Sequence, residues 1–96
     1  MRYVTITTWE VTENADFDMT MERVRAKRLP ALKQLGAERV QVIRTSTRTL
    51  AAISEWPDKV TRDKATEFIE HVRREVRTED HARMTGEMAG AVLAEV

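Results

Sequence analysis

The chain contains no cysteine, which removes disulfide scaffolds, Cys-ligated zinc, iron–sulfur clusters and thiol nucleophiles together. Glycine and proline number only 3 and 2, too few for a linker or a disordered tail. Neither sign of charge is in excess. The 16 Lys+Arg balance 16 Asp+Glu, so the net attraction that non-specific nucleic-acid binding needs is missing and no nucleic-acid partner is expected. Long apolar runs are missing as well. The longest near the C-terminus, Ala89 to Ala94, falls far short of the ~18 residues of a membrane span. Met1 to Val11 alternates threonine with apolar residues and is unlike a signal peptide. These features predict a cytoplasmic protein with no membrane partner.

What remains is a 96-residue chain with a hydrophobic share of 42%, enough for one modest core and a single domain over residues 1–96. Arg2 to Val11, rich in Val, Ile, Thr, Tyr and Trp, reads as a strand. Thr12 to Met19 reads as a polar loop, with Asp18 or Thr20 capping a helix over Met21 to Leu35. Gly36 stands where a left-handed C-terminal cap is expected, and Pro30 predicts a kink near Ala26. Glu38 to Thr45 and Thr49 to Trp56 read as two hairpin-linked strands across Ser46, Thr47 and Arg48. A second helix, capped by Thr61, places Ala65, Phe68, Ile69, Val72 and Val76 on one apolar face. After a charged segment, Glu87 to Val96 reads as the last strand.

The order βαββαβ with short connections predicts an α+β, ferredoxin-like sandwich: a four-stranded antiparallel sheet with both helices on one face. Both alternation sets of the strands carry apolar groups. Val4 and Ile6 oppose Tyr3, Trp9 and Val11, and Ala51 and Ile53 oppose Leu50, Ala52 and Trp56. Helices cover one face; a second copy of the same sheet is the simplest cover for the other, so a homodimer is expected.

The opening YVTITTWEV strand, the LPALKQLGA helix end, the VQVIRT strand, the ISEWPD strand end and the closing TGEMAGAVLAEV segment together resemble the dimeric α/β-barrel superfamily, in particular its antibiotic-biosynthesis-monooxygenase-like branch. The resemblance spans nearly the whole chain. It implies two ferredoxin-like subunits packed sheet to sheet, with a pocket between sheet and helices. Within the superfamily it implies chemistries from cofactor-independent oxygenation to haem degradation and lactone isomerisation, alongside members without activity. In the cofactor-free oxygenases an Asn, a Trp and a Tyr or His commonly surround the substrate. Trp56 is a counterpart of that Trp, whereas the single Asn, Asn14, lies in a loop rather than on the first strand.

Five residues stand out as candidates. Arg28 falls in the middle of the first helix's apolar stripe, where a charge must snorkel, pair with an acid or meet an anion. It is a pocket residue orienting a substrate carboxylate or phenolate, a structural partner of Glu10, Glu55 or Glu87, or a residue moved off the stripe by a register shift at Pro30. Trp9 and Trp56 either line a substrate cavity or fill the core and dimer interface. Tyr3 and His81 are the candidates for catalytic proton handling. Glu67, His71 and Glu75 form an i, i+4, i+8 line that reads as a solvated face rather than a metal site, and no metal or cofactor is expected. Two functions follow: a cofactor-free monooxygenase or isomerase acting on an apolar, aromatic or carboxylate-bearing compound, or a non-catalytic ligand-binding or structural dimer.

Overall fold

β-branched and aromatic residues dominate Tyr3–Val11, which forms strand β1 of the computed structural model describing residues 1–96. It is followed by α1 (Phe17–Arg23), a π-helical turn at Val24–Arg28 and α2 (Leu29–Gln34). Then come β2 (Arg39–Arg44), β3 (Thr49–Trp56), α3 (Lys59–Lys64), α4 (Thr66–Glu79) and β4 (Ala82–Ala91). The strands make one antiparallel sheet in the order β2-β3-β1-β4, which is the ferredoxin-like arrangement. No helix is long and apolar enough to cross a membrane.

Pro30 explains the irregularity of the first helical stretch. In a regular α-helix its ring would press on the carbonyl of Ala26. The wider turn relieves this, and the Leu29 N–H reaches back to the Val24 carbonyl. Asp16 caps α1, its carboxylate accepting from the Met19 N–H at 3.1 Å. Asp58, rather than Thr61, caps the second helical stretch, accepting the Thr61 N–H at 2.7 Å; Thr61 is the donor of that bond. The first helical stretch therefore starts four residues before the expected Met21, at Phe17. Gly36 has φ +120, a conformation L side chains rarely adopt, and turns the chain from α2 into β2.

The last strand departs most from expectation. It begins at Ala82 instead of Glu87 and ends at Ala91. His81, at φ 59, is the joint that turns α4 directly into it. Between Thr8 and Trp9 the β1–β4 register shifts, with Thr8 opposite Gly86 and Trp9 opposite Met84, so Thr85 is the extra residue of a bulge.

On the helix-covered face the core forms two apolar clusters, one of Trp9, Val11, Leu50, Val76 and Ala82, the other of Ala37, Trp56, Ala65 and Ile69. Phe68, expected on the buried stripe of the second helix, is 61% exposed; the inward line is Ala65, Ile69, Val72 and Val76. The opposite face has no covering helix. A cross-strand row of Gln41, Ile53, Ile6 and Met88 runs through it, flanked by Val4, Ala51 and Ile43. Ion pairs lie towards its corners, Arg39 with Glu55 at 3.8 Å and Arg83 with Glu10 at 3.1 Å.

Candidate functional site

A cavity of about 70 Å³ lies between the sheet and the helices, and 13 of its 19 lining residues are hydrophobic. Its floor is the inward row of β1 and β3: Thr5, Thr7 and Trp9 beside Leu50, Ala52, Ser54 and Trp56. Val24, Arg28, Leu29 and Leu32 from the first helical stretch close one side, and Ile69, Val72, Arg73 and Val76 from α4 the other.

The floor is polar at its centre. The Trp9 indole N–H donates to Thr7 Oγ1 at 2.8 Å, and the Trp56 indole N–H donates to Ser54 Oγ at 3.0 Å. Ser54 Oγ also hydrogen-bonds Thr5 Oγ1 across the two strands. All five side chains are buried. The register dictates this row, because Thr5 faces Ser54, and each tryptophan stands two residues along its strand from the hydroxyl it donates to.

Three arginines border the cavity. Arg28 is 6% exposed, and its guanidinium donates to Asp80 at 2.8 and 3.2 Å, to Glu79 at 2.9 Å and to Glu75 at 3.3 Å. Its partners are thus the end of α4, not the sheet carboxylates Glu10, Glu55 or Glu87. The hydrogen bonds to Asp80 hold it charged far above the ordinary arginine range. Thr20 Oγ1 donates to the Asp80 carbonyl at 2.8 Å, so α1 and the π turn are both fastened to the α4 terminus. Arg73 is tied to Glu70 at 3.0 Å and to Glu87. Arg62 donates to Thr66 Oγ1 at 3.2 Å and has no carboxylate partner.

Of the five candidates, Trp9, Trp56 and Arg28 meet at this cavity, and Tyr3 and His81 do not. Tyr3 packs half-buried against the Trp56 cluster, and His81 is exposed, its contribution being the left-handed turn into β4. Both belong to the two ends of the sheet–helix layer rather than to its centre, so neither is placed to move a proton in the cavity. The residues missed from the sequence are Thr5, Thr7, Ser54 and Arg62. The hydroxyls carry a signal in the pattern: they occupy inward positions of strands whose other inward residues are apolar. Arg62 carries none.

Two solved structures share this fold over nearly the full length of both chains. One is the structural-genomics protein YJCS, with a TM-score of 0.72 at 11% sequence identity over 96% of this chain and 99% of its own. Another is a dimeric ferredoxin-like protein from an uncultured marine organism, with a TM-score of 0.69 at 14% identity, covering 100% of this chain and 98% of that one. No protein-family model matches the chain, and no curated protein is similar to it in sequence. The likeness is therefore one of fold.

Proposed function

We propose that the chain is a cytoplasmic, small-molecule-binding homodimer that pairs through its uncovered sheet face and takes a compact, largely apolar ligand between sheet and helices. The observation that carries this reading is the cavity itself, apolar in its walls and polar only along one row of its floor. Trp9 and Trp56 would border the ligand, and Arg62, the cavity arginine without a carboxylate partner, would meet an anionic end. Arg28 acts as a wall and a fastening, because its donors are engaged with three carboxylates. The apolar row Ile53, Ile6 and Met88 with charged pairs towards its corners has the make-up of an interface core and rim. The marine neighbour being described as dimeric supports the same assembly.

Cofactor-independent monooxygenation is the catalytic extension of this reading, and the lining limits it. It contains no carboxylate, imidazole, phenol or amine, and an arginine does not release its proton. A substrate would have to enter already deprotonated, as an acidic phenol does. A thermal-shift panel of phenols, quinones, carboxylates and short carbonyl compounds tests the proposal. A ligand at a hundred times its dissociation constant adds about 2.7 kcal/mol, raising the midpoint by roughly ten degrees in a domain of this size. Oxygen uptake with a hit would establish the enzyme; a hit without uptake leaves a binding protein. Silence across the panel would sink the ligand-binding reading and leave a structural dimer.

A further inference from the structure

An indole N–H can only donate. Trp9 and Trp56 therefore occupy acceptor positions of Thr7 Oγ1 and Ser54 Oγ, and leave the hydroxyl protons to be placed elsewhere. The Thr7 hydroxyl makes no hydrogen bond as a donor. Thr5 and Ser54 share one bond, which uses one of their two protons; the other has no protein acceptor. Two O–H donors are thus unspent on residues that are 7% (Thr7), 6% (Thr5) and 7% (Ser54) exposed and line an otherwise apolar cavity. A water molecule could accept from them but would bring two protons of its own towards apolar walls, where ordered water needs several polar partners. A carbonyl oxygen accepts two hydrogen bonds and brings no proton.

We infer that the cavity selects a ligand bearing a carbonyl oxygen, seated against the Thr7 hydroxyl and the Thr5–Ser54 pair, with an aliphatic remainder against Val24, Leu29 and Val72. This rests on the ligand-binding reading above and names its ligand class. The volume of about 70 Å³ sets the size. It is about half of the ~150 Å³ that accommodates a benzene ring, which favours a short-chain ketone, ester or amide over an aromatic compound.

The test compares 2-butanone with 2-methyl-1-butene, which differ only in C=O against C=CH₂. The two tryptophans give two indole N–H signals in a ¹H–¹⁵N spectrum, each reporting on a hydroxyl of the floor. The ketone is expected to move the Trp9 indole signal and to bind about thirtyfold tighter than the alkene, the ratio two neutral hydrogen bonds supply at about fivefold each. Thr7→Ser should keep that ratio and Thr7→Val should cut it to about fivefold, the share of the remaining Thr5–Ser54 donor. Should Thr7→Val fail to fold, the wild-type comparison and Thr7→Ser decide the matter alone. Equal affinities in the wild type would overturn the inference while leaving a ligand-binding cavity. Binding of neither compound would overturn both.

Discussion

Arg28 shows how a single buried charge can be both wall and fastening. Its guanidinium faces Asp80, which is fully buried, so removing one partner strands the other in a poorly solvated site. Arg28→Ala should therefore cost roughly 3–5 kcal/mol in denaturant unfolding, the range for breaking a buried pair. Arg28→Lys should recover little of that, because an ammonium cannot reproduce the two-pronged contact with Asp80. Glu79 adds a pH dependence. The hydrogen bond from Arg28 holds its carboxyl below the usual carboxylate range, and the Thr61 backbone N–H does the same for Asp58. A carboxyl lowered on folding contributes stability that is complete above its unfolded pKa and lost as pH falls through the folded one. The melting temperature should hold steady from neutral pH to about pH 5 and fall below about pH 4, with a shallower fall in Glu79→Gln. A decline already complete between about pH 8 and pH 6 would overturn this carboxylate account.

Among the elements, the first helical stretch departs furthest from regular geometry. Thr20, Val24, Arg28 and Leu32 recur every four residues, a spacing that drifts about 40° per step round a regular helix. The π turn takes back much of that drift, which keeps Val24, Arg28 and Leu32 on the cavity side. At the far end, a Cβ on Gly36 would stand 2.9 Å from Thr61 Cγ2 in a backbone conformation unsuited to L residues. Gly36→Ala should thus destabilise by about 1–2 kcal/mol, read from equilibrium unfolding. The strands β1 to β3 were legible because alternation and β-branched composition agree locally. The start of β4 was not, since Ala82 to Gly86 holds only one β-branched residue, Thr85, and its strand state comes from pairing with β1. The cap at Asp58 was hidden by Thr61, an equally plausible capping type three residues on. Arg28 was identifiable as a misplaced charge, but its partners lie 47 to 52 residues away and could not be chosen from sequence.

For the whole molecule, the uncovered sheet face is the feature with the widest reach. Ile6 stands at its centre, with Ile53 on one side and Met88 on the other. A carboxylate placed there would have to be desolvated in any sheet-to-sheet pairing, whereas in a monomer it would point into water. Ile6→Glu should accordingly sediment as a monomer at micromolar concentration while keeping its circular-dichroism spectrum, against a wild type that sediments as a dimer. A wild-type monomer under the same conditions would end the pairing proposal.

The bulge at Thr85 settles which residues of β4 take part in that face. Before it, the even-numbered Ala82 and Met84 lie opposite Val11 and Trp9 on the helix side. After it, the even-numbered Gly86, Met88 and Gly90 lie opposite Thr8, Ile6 and Val4 on the uncovered side. The strand is thus two half-strands written in opposite parity, joined by one residue that belongs to neither. That single insertion lets one continuous segment furnish core wall and outward surface in turn. A sequence aligned without it would be read inside out from Thr85 onward, with Glu87 turned outward, away from Arg73, and Met88 turned in.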